Sequence, residues 1–325
     1  MRTPPFDVFP PAPERLVQGN PEGPPLVVIV GPTGVGKSDL AMRLAQDNRG
    51  AIVSADSRQI YQGFDIGTAK PTADERARVP HDMVDGVDPT HTYTVAEYQA
   101  DARAAIARRR EQGYLPFLVG GTGLYVRAVL DGLTIPPVPP DPAFRESLAA
   151  LPDLHARLAE VDPESAARLH PNDKVRVIRA LEVFHHTGQP IGAFQHVEPC
   201  PYRLLFLGVG APRAYLYERI DARVMAMMQA GFKTEVEALA ARHGWDLPLM
   251  RTLGYAEIGA FAREEMSEAE AIALMAQHTR NYAKRQLTWF RADDRIRWLL
   301  RGPETDMDQW VAEAQAIVRE WALSR

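Results

Sequence analysis

Five consecutive apolar residues, Leu26-Val27-Val28-Ile29-Val30, show no polar alternation. That is the pattern of a strand buried on both faces of a parallel sheet. Similar short runs occupy Ala51–Ser54, Tyr114–Val119 and Arg203–Val209. Between the strands the apolar period changes: Leu40, Ala41, Leu44 and Ala45 predict a helix over Ser38–Gln46, and a long one is predicted over Val95–Arg110. Alternating strands and helices imply a parallel sheet with helices on both faces. Past residue 130 the strand pattern stops. Helices are predicted over Phe144–Ala150, His155–Glu160, Pro163–Leu169 and Asp173–Thr187, then a loop-like stretch from Thr187 to Pro201. After the strand at Arg203–Val209 come helical patterns at 212–229, 233–243, 267–291 and Asp308–Leu323. No internal repeat is visible.

Proline punctuates this order. Residues 1–25 hold eight prolines and few periodic apolar positions, which predicts a flexible extension. The cluster Thr134-Ile135-Pro136-Pro137-Val138-Pro139-Pro140-Asp141-Pro142 marks a boundary. The expected plan is an α/β core from 26–130 plus 199–325, with a helical domain inserted at 131–198. A chain of 325 residues, 46% hydrophobic, can fill a large core and two domains. The net charge of −5 confines any nucleic-acid contact to a local basic surface. The single Cys200 excludes a disulfide framework and a Cys-cluster zinc site. No run of 18 apolar residues and no signal-peptide pattern occur, so a cytoplasmic protein without a membrane partner is expected.

The chemistry begins after the first strand. Gly31-Pro32-Thr33-Gly34-Val35-Gly36-Lys37-Ser38 is G-x-x-x-x-G-K-S between a strand and a helix, a phosphate-binding P-loop. Its backbone N–H groups, the helix N-terminus and Lys37 favour phosphate, and Ser38 offers a hydroxyl to Mg²⁺. Ligands in such folds lie outside the carboxyl ends of the strands. That rule selects the P-loop, Asp56-Ser57-Arg58-Gln59 and Gly120-Gly121-Thr122-Gly123. Phosphoryl-transfer P-loop proteins carry a metal-binding acid at a strand end, but Phe117-Leu118-Val119 runs into Gly-Gly-Thr. Asp56 is the carboxylate placed at a strand end, as a metal ligand, a general base or a loop cap.

Leu216, Ile220, Val224 and Met227 form an apolar helical stripe, and Arg223 falls on it. A guanidinium facing a core needs an anion, which fits a phosphate clamp, a structural ion pair or a head that reaches out to solvent. Basic residues gather at Arg168, His170, Lys174, Arg176 and Arg179, and again at Arg280, Lys284 and Arg291, which share one face of a late helix. Each cluster is either a solvated face or part of a track for RNA phosphates.

These motifs together resemble the bacterial tRNA dimethylallyltransferase, or tRNA isopentenyltransferase, family. They are the P-loop, Ser54-Ala55-Asp56-Ser57-Arg58-Gln59-Ile60-Tyr61, Asp65-Ile66-Gly67-Thr68-Ala69-Lys70-Pro71, Gly120-Gly121-Thr122-Gly123-Leu124-Tyr125, His170-Pro171-Asn172-Asp173 with Arg179-Ala180-Leu181-Glu182, and Lys284-Arg285-Gln286-Leu287-Thr288-Trp289. They lie in order over residues 26 to 295. The resemblance implies a P-loop NTPase-like fold and transfer of a dimethylallyl group from dimethylallyl diphosphate to N6 of the adenine 3′-adjacent to the anticodon.

By that resemblance, Gly31, Pro32, Thr33, Gly34, Val35, Gly36, Lys37, Ser38 and Arg223 hold the donor diphosphate with Mg²⁺ on Ser38. Asp56, Arg223, Thr33 and Lys37 are the expected catalytic residues, Asp56 as general base. Asp56, Ser57, Arg58, Gln59, Thr122, Arg127, Val175, Arg176, Val177, Ile178, Arg179, Arg280 and Lys284 are the expected tRNA contacts. The inserted domain is expected to grip the anticodon stem-loop, with the target adenine flipped out. A monomer is expected. The sequence departs from the family in its P-loop interior, Gly34-Val35, and in the proline-rich start. The alternative reading is a P-loop small-molecule kinase with a helical lid, which leaves the Asp56–Tyr61 and Gly67–Pro71 blocks and the basic late helix unexplained.

Overall fold

The structure is a computed structural model that describes every residue except 1–5, 150, 195, 197 and 325. Its elements run β1 (Gln18–Gly19), β2 (Pro25–Val30), α1 (Lys37–Asp47), β3 (Gly50–Ser54), α2 (Ala73–Arg78), β4 (His81–Asp82), α3 (Val95–Glu111), β5 (Leu115–Gly120), α4 (Gly123–Leu130), α5 (Pro142–Ala149), α6 (Leu154–Val161), α7 (Pro163–Arg168) and α8 (Lys174–Thr187). They continue with β6 (Arg203–Gly210), α9 (Arg213–Gln229), α10 (Phe232–His243), α11 (Tyr255–Ala262), α12 (Glu268–Phe290), β7 (Arg297–Leu300) and α13 (Met307–Leu323). No described helix is long and apolar enough to cross a membrane.

One compact unit comprises Met1–Leu130 with Pro201–Arg325. Its sheet has the order β1-β6-β2-β5-β3-β4, with β7 also on β6, and every pairing except β1 with β6 is parallel. Leu26 through Val30 are all 0% exposed. Both faces of β2 are therefore covered, and its unbroken apolar run follows from that. Val27 and Ile29 meet Leu40, Leu44, Leu207, Val209, Trp310 and Ile317 in one core cluster. On α3, Tyr98 stacks on Tyr125 of α4 with ring centroids 3.7 Å apart, and its hydroxyl donates to the Ser54 carbonyl. The fold is an α/β P-loop type with a parallel sheet.

The second unit, Asp131–Cys200, contains α5 to α8 around Leu154, Leu158, Val177, Ala180 and Leu181. Glu182 is 0% exposed here. It accepts from Arg145 at 2.7 and 2.8 Å, from the Asp141 N–H at 2.7 Å and from Arg179.

The proline-rich start differs from the flexible extension expected over 1–25, of which residues 1–5 lie outside the described residues. β1 pairs with β6, and Phe6, Leu16 and Val17 pack on the core. Asp7 Oδ1 accepts from the Arg213 N–H at 2.7 Å, and Phe9 packs on Trp298. A few apolar side chains suffice, since proline lowers the entropy lost on ordering.

Candidate active site

Three loops leave the carboxyl ends of β2, β3 and β5, neighbours in the sheet. The first is the P-loop. Gly36 has φ +98, and a Cβ there would come within 2.2 Å of Arg301 Nη1, so glycine fits both the backbone and the space. The Gly34 carbonyl accepts from Arg219 Nε at 2.8 Å, which ties the loop to α9. One turn further along α9 is Arg223.

Thr33, Lys37, Ser38, Asp56 and Arg223 line one cavity of about 680 Å³. Arg58, Gln59, Tyr282, Arg285 and Gln286 also reach it. An apolar wall is formed by Ile220, Val224, Met227, Leu253 and Met275. Burial, then the nearby charge of Arg223, lowers the Lys37 ammonium to about 8, against the opposing pull of Asp56 and Asp39. Burial lowers the Arg223 guanidinium too, while Asp56 and Asp39 act in the other direction. Arg223 has no ion pair within 4 Å among the described residues, so its charge faces the cavity without a direct partner. Two half-buried cations, neither in an ion pair among the described residues, can receive a strongly anionic group.

Asp56 follows β3. Its Oδ1 accepts from the N–H of Arg58 at 2.9 Å and of Gln59 at 3.4 Å. This is a loop cap, one of the roles open to it from sequence, and it leaves Oδ2 without a hydrogen bond among the described residues. The next N–H, of Ser57, donates to Thr122 Oγ1 at 3.2 Å. Tyr282 lines the same cavity, and burial raises the pKa of its hydroxyl. No group of three or more His, Cys, Asp or Glu side chains able to hold a metal exists among the described residues.

Other expected contacts are placed differently. The Gln59 amide is used inside the protein: Oε1 accepts from Ser54 Oγ at 2.9 Å, and Nε2 donates to the carbonyls of Thr68 and Ala69. Arg280 pairs with Asp221 at 2.5 Å, whereas Lys284 is exposed. Arg291, grouped with them by helical phase, donates to the Phe6 carbonyl and lies over Phe6 and Phe9. Arg127, half-buried on α4, does not line the cavity.

In the second unit, Val175 is 80% exposed and Val177 is 0% exposed. The expectation of a tRNA contact by the Val177 side chain is therefore corrected: it is core, as the helical period places it between Asp173 and Leu181. Ile178 packs beside that core, Arg176 pairs with Asp173 at 3.4 Å, and Arg179 is held by Glu182 and the Val138 carbonyl.

Tyr282, Arg285 and Gln286, with Met275 and Thr279, were not singled out as site residues by sequence. Their signal is the spacing 275, 279, 282, 286, which puts polar side chains on the buried stripe of α12.

Comparisons with known proteins show which family the chain resembles. A family profile described as "IPP transferase" matches residues 59–293, and one described as "Isopentenyl transferase" matches 24–80. A tRNA dimethylallyltransferase of Gloeobacter violaceus is 52% identical over 276 residues, covering 84% of this chain and 91% of the relative. One from Moorella thermoacetica is 45% identical over 91% and 94%. Among solved structures, the full-length tRNA isopentenylpyrophosphate transferase of Bacillus halodurans is 38% identical, covers 91% of this chain and 96% of its own, and has a TM-score of 0.70. A eukaryotic dimethylallyltransferase acting on tRNA is 26% identical over 93% and 80%, with a TM-score of 0.78. Family profile, sequence relatives and fold agree over most of the chain, which belongs to the IPP transferase family.

Proposed function

We propose that the chain transfers a dimethylallyl group from dimethylallyl diphosphate to N6 of the adenine 3′-adjacent to the anticodon of tRNA. The observation that carries this reading is one cavity lined by Asp56, whose Oδ2 has no hydrogen bond among the described residues, by Lys37 and Arg223, and by the apolar side chains of Ile220, Val224, Met227, Leu253 and Met275. The P-loop and the two cations receive the diphosphate, and the wall around Val224 and Met227 takes the five-carbon chain.

The adenine N6 attacks the allylic carbon as the carbon–oxygen bond to diphosphate breaks. Asp56 accepts the N6 proton, orienting a weak nucleophile as it does so. Lys37 and Arg223 stabilise the charge that grows on the departing diphosphate, and Thr33 and Ser38 offer hydroxyls to it. Ser38, which lines the cavity, would hold an Mg²⁺ through its hydroxyl. That ion would add positive charge at the leaving group. A soluble cytoplasmic setting and recognition of the anticodon stem-loop by the 131–200 unit belong to the same reading, with Val175, Arg176 and Lys284 as accessible contacts.

The test is a reaction of protein, Mg²⁺, labelled dimethylallyl diphosphate and unmodified tRNA, beside one with ATP and small metabolites. Label in the RNA supports the transferase. ATP consumption with unlabelled RNA overturns it in favour of the kinase.

A further inference from the structure

Gln286 is 6% exposed, and both ends of its amide are spent on active-site loops. Oε1 accepts from the backbone N–H of Thr33 at 2.9 Å. Nε2 donates to the backbone carbonyl of Gly121 at 2.9 Å. A main-chain N–H can only donate and a carbonyl can only accept, so this amide orientation alone satisfies both. Neither carboxylate nor hydrocarbon does the same. The fit is close: a Cβ on Gly121 would come within 2.2 Å of Nε2.

The two loops serve different substrates in the proposed function, on which this inference rests. Thr33 belongs to the donor loop. Gly121 precedes Thr122, whose hydroxyl accepts from Ser57, the residue after Asp56. A path of direct bonds thus runs from the donor loop through Gln286 to the loop beside the base. Tyr282, also on α12, lines the same cavity as Gln286.

We propose that Gln286 is a positioning residue that fixes the separation between the donor diphosphate and the attacking adenine. It touches neither reacting atom. Its contribution is to alignment, where a displacement of about 1 Å costs roughly 10²-fold in rate. Misalignment also exposes the allylic carbon to water. In that side reaction a water oxygen bonds to the allylic carbon, diphosphate leaves, a proton goes to solvent, and dimethylallyl alcohol forms.

The test compares full-length wild type with Gln286→Met, which keeps the side-chain length and removes both hydrogen bonds. For Gln286→Met, kcat for transfer is expected to fall by about 10- to 100-fold, with both KM values within about threefold of wild type. The ratio of dimethylallyl alcohol to prenylated tRNA is expected to rise. An unchanged kcat and product ratio, or a loss confined to KM, overturns the role. If Gln286→Met does not fold, Gln286→Glu carries the same test, since it keeps the acceptor for Thr33 and loses the donor to Gly121. Failure of wild type to prenylate tRNA at all counts against the proposed function, and is told apart from a variant-specific result.

Discussion

Asp56 Oδ1 accepts the N–H of Arg58 at 2.9 Å, so one oxygen of this carboxylate holds its own loop, and the other, which has no hydrogen bond among the described residues, is the one the proposed function uses as base. Asn keeps an oxygen for the cap but cannot act as the base. Asp56→Asn is therefore expected to lower turnover by more than about 10²-fold while tRNA binding and thermal stability persist. Rapid-quench turnover with a parallel filter-binding assay checks this. Near-normal turnover would remove Asp56 from the base role.

Arg223 has no ion pair within 4 Å among the described residues and faces the cavity from a stripe otherwise apolar. Arg223→Ala is expected to raise KM for dimethylallyl diphosphate and to lower kcat, together about 10²-fold or more in kcat/KM. Steady-state kinetics with each substrate varied in turn provide the measurement. A defect in tRNA binding alone would contradict a diphosphate clamp.

Lys37 gives the donor site a pH dependence. Burial and then Arg223 bring its ammonium down to about 8 in the free protein, below the roughly 10.4 of an unfolded chain. The unfolded chain thus holds more protons between those values, and this group makes the free protein more stable as pH rises through that window. Donor binding prefers the charged form. kcat/KM for dimethylallyl diphosphate is expected to fall above about pH 8, and Lys37→Arg to flatten that fall. A profile flat to pH 9.5 in wild type would contradict it.

Glu182 organises the 131–200 unit. Burial pushes its carboxyl up, but hydrogen bonds from Arg145, the Asp141 N–H and Arg179 outweigh that and hold it at about 2. Its contribution to stability is full above the unfolded value near 4.3 and is lost as pH falls toward 2. Glu182→Ala is expected to destabilise this unit by about 2–3 kcal/mol at neutral pH. Urea unfolding followed by hydrogen exchange of α8 measures it. An unchanged midpoint there would argue against the network.

Arg301 is 8% exposed, and its Nε and Nη1 lack hydrogen-bond partners among the described residues, with the Trp310 ring 5.8 Å away. Enclosing an unpaired guanidinium costs free energy, so Arg301→Met is expected to raise stability by about 1 kcal/mol. Chemical denaturation reads the effect, and a marked loss would show that the charge is matched in solution.

The strands β2, β3, β5 and β6 are legible in sequence because burial on both faces leaves pure apolar runs. β4 and β7 are not, since His81-Asp82 is polar and Arg297–Leu300 pairs only through its tertiary neighbour β6. α4 and α11 were missed because glycine begins the first and Gly259 interrupts the second. At the site, Lys37, Asp56 and Arg223 stand out as charges in the wrong local company. Gln286 does not, because its role depends on two loops brought together from residues 33 and 121. Likewise, no local pattern distinguishes Arg179, bound by Glu182, from an arginine free to meet RNA.

Label from dimethylallyl diphosphate should appear in an unmodified tRNA and vanish when the adenine 3′ of the anticodon is replaced by guanine. Label that persists after this replacement, or never reaches the RNA, would contradict transfer to that single adenine.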